Sequence, residues 1–288
     1  MKRLSVPAGL PLVSPPRNTV IDRVVLITGA GSGIGSELAR YLVDNGAKVG
    51  LLDRDESAIH SLAAELGESA AAFVVDVTSD EQTRAAIDAA AAHFERIDAV
   101  VVNAGIAGPS ETISTIESRE FESVIQVNLI GAYRTAAAAL AHLERSGGYI
   151  MVVSSIAAVI PGPMIGAYAA SKAGVEALYR SLRIELHNTG IEVGIAYFGL
   201  VDTNLARHLT EHGLGAVLAT FPRLVSRPIA VSKAAEVLTG GIARRARRVY
   251  APWWIPVLLD LRPLVIASDR VIARHPGLAT TIRGGQPS

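Results

Sequence analysis

Short runs of apolar residues alternate with longer amphipathic segments from residue 22 onward. The apolar runs predict β-strands at residues 24–28, 48–53, 71–76, 99–103, 149–154, 192–197 and 249–251. The amphipathic segments predict helices at residues 33–45, 56–66, 80–94, 118–143, 166–188 and 232–245. Strands that are apolar throughout and separated by helices are typical of a parallel sheet with both faces covered. The pattern therefore predicts an α/β fold with a doubly wound parallel sheet in three layers.

No change of composition divides these elements, so we predict one domain at residues 21–252. Residues 1–20 carry several prolines and no continuous apolar stretch, which predicts an extended arm rather than a signal peptide. Residues 253–288 form a C-terminal extension. No run of about eighteen apolar residues is free of charge, so we do not expect a membrane-spanning helix.

Charge and cysteine content narrow the functional classes. The 288 residues include 27 Lys and Arg against 27 Asp and Glu, so no net field recruits nucleic acid. The absence of cysteine excludes disulfides, thiolate metal sites and thiol nucleophiles. It also fits a reducing compartment, so we expect a cytoplasmic protein that binds no nucleic acid.

A glycine-rich turn joins the first predicted strand to the first predicted helix. It reads Thr28-Gly29-Ala30-Gly31-Ser32-Gly33-Ile34-Gly35. Glycines there permit a tight turn, close approach of the backbone to phosphate, and close packing of helix on strand. The helix N-terminus offers N–H groups and the positive end of its dipole to a pyrophosphate. We interpret the turn as a dinucleotide-binding site; a purely structural turn is the alternative.

Asp53 ends the second predicted strand, 18 residues after the last glycine of that turn. A carboxylate there can accept hydrogen bonds from the adenosine ribose hydroxyls and repels a 2′-phosphate. Ser32 adds no positive charge for that phosphate, whereas Arg54 could pair with it. A loop or helix-capping carboxylate is the other reading of Asp53. The balance favours NAD over NADP.

Asp76 and Val77 follow the third predicted strand, where a carboxylate could meet the adenine amino group. The alternative is that Asp76 or Thr78 caps the next helix.

The predicted helix at residues 166–188 carries Tyr168 and Lys172 four positions apart, and therefore on one face. A neighbouring ammonium favours the phenolate, which lowers the pKa of the tyrosine from its usual value of about 10. A tyrosine with a lowered pKa is suited to proton transfer.

Together these motifs resemble the short-chain dehydrogenase/reductase family, in its smaller single-domain form with TGxxxGxG and YxxxK motifs. The similarity covers about residues 22–207 and, more loosely, the chain to residue 252. The resemblance implies a Rossmann-type fold, an NAD or NADP cofactor, and oxidoreductase activity on a CH–OH group.

The resemblance also implies roles for individual residues. Tyr168 is the general acid/base, and Lys172 both lowers its pKa and binds the nicotinamide ribose. Ser155, 13 residues before Tyr168, binds the reacting oxygen, and the backbone carbonyl of Asn128 holds a water in a proton relay. With the residues above, the expected cofactor-binding set is Thr28, Gly29, Ser32, Gly33, Ile34, Gly35, Asp53, Arg54, Asp76, Val77, Asn103, Ala104, Gly105, Tyr168, Lys172, Gly199, Val201 and Thr203.

The chain departs from the family pattern in two places. Val102 replaces the first asparagine of Asn-Asn-Ala-Gly, while Asn103 keeps the amide that braces the sheet. Phe198-Gly199 replaces the usual Pro-Gly; Gly199 still permits an unusual backbone angle, and Thr203 can still contact the carboxamide. Because neither change touches the proton-transfer group, we expect activity to survive.

Residues 205–227, within a substrate flap predicted at 202–228, present an apolar lining suited to a bulky lipophilic alcohol or ketone. Its members are Leu209, Leu214, Val217, Leu218, Phe221 and Leu224. Packing on the core or on another subunit is the alternative. His208 and His212 have metal-ligand spacing but no third ligand nearby, so we expect no metal.

The extension begins with an apolar stretch at residues 253–267, downstream of a basic cluster at residues 244–248. Tryptophans beside arginines are typical of an interfacial membrane anchor. Asp260, Arg262 and the prolines argue against insertion across a bilayer. A substrate lid and a subunit contact fit the stretch equally well.

We therefore expect an NAD-dependent oxidoreductase that interconverts a hydrophobic secondary alcohol and its ketone by hydride transfer. The alternatives are an NADPH-dependent carbonyl reductase, a non-catalytic nucleotide-sensing protein of the same fold, and a peripheral membrane scaffold. The family commonly forms homodimers and homotetramers. The small residues Ala132 and 136–139 favour that expectation by allowing close helix packing.

Overall fold

The computed structural model describes residues 19–210, 226–267 and 274. Most of the predicted arm, residues 211–225 of the predicted flap, and most of the extension beyond residue 267 lie outside the described residues.

A single parallel sheet organises the described part of the chain. Its strands are β1 (Val24–Thr28), β2 (Lys48–Asp53), β3 (Ala70–Val74), β4 (Ala99–Val102), β5 (Tyr149–Val153), β6 (Glu192–Phe198) and β7 (Arg248–Ala251). They lie in the order β3-β2-β1-β4-β5-β6-β7, and every neighbouring pair is parallel. The order reverses between β1 and β4, and ligands of open α/β sheets bind at the carboxyl ends of the strands at such a reversal.

Helices cover both faces of the sheet. They are α1 (Gly33–Asp44), α2 (Glu56–Leu66), α3 (Asp80–Phe94), α4 (Ser118–Ile125), α5 (Gly131–Ser146), α6 (Gly166–Glu185), α7 (Asn204–Leu209), α8 (Val231–Arg244), α9 (Ile255–Asp260) and α10 (Arg262–Ala267). One apolar cluster joins α1 and α8 to the sheet, and a second joins α3, α5 and α6 to its other face. The predicted doubly wound, three-layered fold is confirmed.

The predicted helix at residues 118–143 is interrupted by a π turn. That turn, Gln126–Ile130, separates α4 from α5, and the Gly131 N–H donates to the Gln126 carbonyl. The whole stretch Ser118–Ser146 is long and apolar enough to cross a membrane by composition alone. Here it packs against the sheet through alanines that are buried within this chain: Ala132, Ala136, Ala138 and Ala139. Burial within the chain accounts for these four alanines, whereas Ala137 is partly exposed, and close packing on a second subunit stays a prediction.

Candidate active site

The glycine-rich turn shapes the start of α1. Gly29 and Gly33 have φ angles of +67° and +54°, which glycine adopts without strain. A Cβ atom on Gly35 would lie 2.1 Å from the carbonyl oxygen of Gly29, so only glycine lets the helix begin against the turn. Ser32 makes no side-chain cap, and the first turn of α1 has no acidic residue. The helix therefore presents its first N–H groups uncapped by a side chain, an arrangement that suits an anion.

A cavity of about 610 Å³ lies over the carboxyl ends of the strands. Most of the residues predicted for the site line it: Gly29, Ser32, Gly33, Ile34, Asp53, Arg54, Asp76, Val77, Asn103, Ala104, Gly105, Ser155, Tyr168, Lys172, Gly199, Val201 and Thr203. Thr28, Gly35 and Asn128 lie behind this lining. The structure thus brings the glycine-rich turn and the Tyr/Lys helix to one cavity.

Thr28 supports the site from behind, while its predicted contact with a cofactor stays a prediction. Its side chain is 1% exposed, and its hydroxyl oxygen accepts from the N–H groups of Asn103 (3.1 Å) and Ala104 (3.2 Å). The Asn103 amide in turn donates to the carbonyl oxygens of Thr28 and Gly29, both at 3.1 Å. These bonds tie the end of β4 to the glycine-rich turn.

Two backbone donors hold the Asp53 carboxylate at the cavity. Gly31 N–H donates to one oxygen (2.9 Å) and Asp55 N–H to the other (3.0 Å). A Cβ atom on Gly31 would lie 3.1 Å from that carboxylate. Asp55, not Asp53, caps α2 by accepting from Ala58 N–H. A carboxylate has about four acceptor positions, so Asp53 keeps some for ligand hydroxyls.

Asp76 lines the cavity beside the exposed guanidinium of Arg54. One Asp76 oxygen accepts from the backbone N–H and the hydroxyl of Thr78, at 2.9 and 2.8 Å. The backbone bond from Thr78 lowers the pKa of Asp76, and the charge of Arg54 lowers it further. Ser79 caps α3, so neither residue of the predicted capping alternative does so.

Ser155 and Tyr168 form the polar pair at the other end of the cavity. Ser155 follows β5 and is 8% exposed, and its oxygen accepts from Ala157 N–H at 3.1 Å. The Tyr168 phenol comes from α6 and lines the same cavity, and the neighbouring Ser155 hydroxyl acts to lower the pKa of that phenol. The two oxygens are therefore placed to share contact with a third one on a ligand.

Burial, rather than Lys172, sets the ionisation of Tyr168. Burial raises the pKa of Tyr168, and the Ser155 hydroxyl lowers it in part. The Lys172 amine donates to the Val153 carbonyl at 2.9 Å and lies 5.6 Å from the centre of the Tyr168 ring. Burial also lowers the pKa of Lys172 to about 8. The predicted lowering of the tyrosine pKa is therefore wrong for this arrangement, because the ammonium faces the ring and a strand carbonyl.

Asn128 lies in the π turn, 2% exposed, and links three parts of the site. Its amide oxygen accepts from Ile106 N–H (2.8 Å), and its amide nitrogen donates to the Ile106 carbonyl and the Ser171 hydroxyl (2.9 Å each). A Cβ atom on Gly105 would lie 3.2 Å from the Asn128 oxygen and 3.5 Å from the Lys172 amine. The side chain thus fixes the loop after β4 to α6, while the role of its backbone carbonyl stays a prediction.

The end of β6 differs from the expectation of an unusual backbone angle at Gly199. The φ angle of Gly199 lies outside the left-handed region, and the space around it is tight: a Cβ atom would lie 3.1 Å from Pro252 Cδ. Thr203 caps α7 by accepting from Ala206 N–H at 3.2 Å, and its hydroxyl also donates to the Val201 carbonyl.

Sequence reasoning missed most of the apolar wall. Its members are Leu52, Val75, Ile106, Val127, Ile156, Ile160, Pro161, Pro163, Ile165, Leu205 and Trp254. Their place after strands or beside Ser155 was a usable signal for most of them. Trp254 lies in the stretch for which a substrate lid was one of the open alternatives, but the sequence did not single out this residue.

The expectation that no metal is bound can be compared with the structure only for the described residues. Among the described residues, no group of three or more His, Asp or Glu side chains is close enough to hold a metal ion. The side chains of His208 and His212 lie outside that set, as do most of the predicted flap residues.

Comparison with known proteins gives consistent matches. The family model of the short chain dehydrogenases matches residues 23–213. L-fucose dehydrogenase of Oryctolagus cuniculus is 35% identical over 73% of this chain and 72% of its own length. Cis-4-hydroxycyclohexanecarboxylate dehydrogenase of Sinomonas cyclohexanicum is 34% identical over 77% and 91%. A solved structure with a similar fold is the crystal structure of 3-ketoacyl-(acyl-carrier-protein) reductase from Brucella melitensis complexed with NADH. Its TM-score is 0.73 and its sequence identity 27%. The match covers 81% of this chain and 98% of the reductase chain.

Proposed function

We propose, because the chain belongs to the short-chain dehydrogenase/reductase family, that it interconverts a hydrophobic secondary alcohol and its ketone with NAD as cofactor. Enzymes of this family act on alcohols and ketones with NAD or NADP. One observation carries the proposal: the dinucleotide-type turn and the Ser155–Tyr168 pair line the same cavity.

The residues at the turn fit a dinucleotide. The uncapped start of α1 suits the pyrophosphate, and the Asp53 carboxylate, fixed by Gly31 N–H, suits the adenosine ribose. Lys172 lies where its amine can reach a second ribose or the Tyr168 ring. When bound, the nicotinamide supplies the hydride acceptor or donor.

Tyr168 moves the proton. In oxidation its phenolate takes the proton of the substrate hydroxyl, and in reduction the phenol returns a proton to the carbonyl oxygen. Ser155 donates a hydrogen bond to the same oxygen, with Ala157 N–H fixing the position of its hydroxyl. The raised pKa of Tyr168 keeps the phenol protonated near neutral pH, which is the form needed for reduction.

Asp53 supports NAD rather than NADP, because its carboxylate would face a 2′-phosphate across the turn. The second candidate is an NADPH-dependent reductase, and Arg54 favours it. Arg54 lines the cavity and is exposed, so it could turn onto that phosphate. Steady-state rates with both cofactors separate the two.

The apolar wall supports a hydrophobic substrate. Ile156, Ile160 and Ile165 line the cavity on the side that holds Ser155 and Tyr168. The relative from Sinomonas is named for a hydroxyl on a cyclohexane ring. Ring-bearing secondary alcohols are therefore the first compounds to test here.

An absorbance assay at the reduced-nicotinamide band tests the function directly, with NAD and NADP and a panel of cyclic and acyclic secondary alcohols. We expect turnover with NAD, and a loss of at least about 100-fold in kcat for Tyr168→Phe. NADH binding by that variant should remain close to wild type. Tyr133→Phe is the control, since Tyr133 is exposed on α5. Full turnover by Tyr168→Phe would refute the assigned role.

Assembly and location stay predictions. We propose that the protein forms a homodimer or homotetramer, because enzymes of the family commonly oligomerise. We also propose that it is cytoplasmic, which the lack of cysteine supports. Light scattering of the full chain and cell fractionation test the two statements.

A further inference from the structure

The chain folds back over the cavity after its last strand. Residues 252–262, called the C-terminal strap here, include α9 and lie beyond the region matched by the family model. After Pro252 the strap has two tryptophans that differ in solvent exposure: Trp253 is 72% exposed and Trp254 is 8% exposed. Adjacent residues of one type thus provide a natural pair for comparison.

Trp254 belongs to the wall of the cavity that holds Tyr168 and the glycine-rich turn. Its Cζ2 atom is 3.9 Å from the place where a Cβ on Gly199 would sit, and Pro252 Cδ is 3.1 Å from that place. The Gly199 N–H also donates to the Ala251 carbonyl at 3.0 Å. The strap therefore packs directly on the backbone that follows β6, with no side chain between them.

The position of Trp254 is fixed from both sides. Ile255 is fully buried in the same apolar cluster as Tyr197 and Trp254. Farther along the strap, Arg262 forms an ion pair with Glu176 at 2.6 Å, and Glu176 is only 8% exposed. Glu176 lies on α6 one turn after Lys172, so the strap is attached to the helix that carries the proton-transfer group.

We propose that Trp254 is a specificity-determining residue, whose indole contacts the ligand beside Gly199 and limits the size of the substrate. The proposal rests on the oxidoreductase function given above. An indole offers a large, stiff apolar surface, so it stabilises a ring that fits against it and excludes one that overlaps it. Removing it enlarges the cavity, and pocket size changes discrimination between apolar substrates by tenfold or more.

The test compares Trp254→Ala and Trp254→Phe with Trp253→Ala, using 2-propanol, cyclohexanol and 2-decalol with NAD. In Trp254→Ala we expect the ratio of kcat/KM for 2-decalol to that for 2-propanol to rise by about tenfold. In Trp253→Ala it should change by less than about twofold. An equal ratio in Trp254→Ala and wild type would overturn the proposal.

Two further readouts keep the outcomes distinct. If Trp254→Ala does not fold, Trp254→Phe must still shift the ratio in the same direction, and an unchanged ratio overturns the proposal. The chain has two tryptophans, so Trp253→Phe reports Trp254 alone, and cyclohexanol added to the NADH-saturated protein should reduce its acrylamide quenching. Unchanged quenching would also count against the proposal.

A wild type that turns over none of the three alcohols contradicts the proposed function itself, whereas turnover with unchanged selectivity in the Trp254 variants contradicts this inference alone.

Discussion

At the scale of residues, burial decides the ionisation of the two polar groups on α6. Lys172 is 5% exposed, and burial lowers its pKa to about 8, well below the ordinary lysine value. Its charge therefore changes close to physiological pH, because the interior disfavours the ammonium. Tyr168 shifts in the opposite direction for the same reason, since its charged form is the deprotonated one.

The lowered pKa of Lys172 predicts a pH-dependent stability. Above pH 8 the folded protein releases the lysine proton, while the unfolded chain keeps it up to the ordinary value of about 10.4. The unfolded state then binds more protons, so the free energy of unfolding rises with pH in this window. Urea denaturation of wild type and Lys172→Met at pH 7.5, 8.5 and 9.5 should show the wild type gaining stability relative to the variant. A difference that is constant with pH would show that the amine titrates as in water.

Asp53 is expected to control the choice between cofactors. Asp53→Asn removes the charge that faces a 2′-phosphate, so the ratio of kcat/KM for NADP to that for NAD should rise by about tenfold or more. Asp55→Asn is a matched control two residues away, because Asp55 caps α2 outside the cavity lining and asparagine can also cap. Equal ratios in both variants would remove Asp53 from cofactor selection.

The sequence predicted the placement of these residues better than their chemistry. Four-residue spacing put Tyr168 and Lys172 on one face of α6, and the structure keeps them there. The direction of the tyrosine shift was wrong, because it depends on burial and on the Val153 carbonyl that takes the amine. Such contacts come from distant parts of the chain and leave no local pattern.

At the scale of elements, the π turn between α4 and α5 positions Asn128. An extra residue in a helical turn hardly changes a hydrophobic pattern with a period of 3.6, so the sequence predicted one continuous helix. The turn nevertheless places a buried amide against the loop after β4 and against Ser171. The interruption of the helix thus positions Asn128 for these hydrogen bonds.

Asn128→Ala should lower the free energy of unfolding by about 1–3 kcal/mol, because the part-buried N–H and carbonyl of Ile106 and the buried Ser171 hydroxyl lose their partner. Asn45→Ala is the comparison: the Asn45 amide bonds the Tyr41 carbonyl at an exposed helix end, where water can replace it. Chemical denaturation measures both. A loss in Asn128→Ala no larger than in Asn45→Ala would contradict the structural role of the amide.

The strap carries two ion pairs of different burial, which predicts different contributions. Of the two ion pairs that the described residues make with the buried Glu176, Arg262→Gln removes the shorter and leaves the one with Arg180 at 3.7 Å, so it should cost about 1–3 kcal/mol of unfolding free energy. Arg248→Gln breaks the exposed pair with Asp260 and should cost less than about 1 kcal/mol. Thermal and urea unfolding compare the two variants, and equal losses would mean that burial of Glu176 does not matter.

At the scale of the whole molecule, the order of the sheet explains why distant motifs meet. The reversal between β1 and β4 brings the glycine-rich turn, the loop after β4 and the end of β5 to one edge. Apolar strands and amphipathic helices predicted this architecture, because each local pattern agrees with the global fold. For the strap the sequence left a membrane anchor, a substrate lid and a subunit contact open, since the contact of Trp254 with Gly199 joins residues far apart in sequence.

The late position of Trp254 in the chain has a consequence for synthesis on the ribosome. The glycine-rich turn and Asp53 emerge early in synthesis, later segments such as residues 103–105 and 199–203 complete the lining around them, and the wall at Trp254 is added only near the end. A chain terminated prematurely after residue 252 would retain the seven strands of the described sheet while leaving that side of the pocket open. Closure of the wall at Trp254 is therefore among the last steps by which the growing polypeptide builds the pocket.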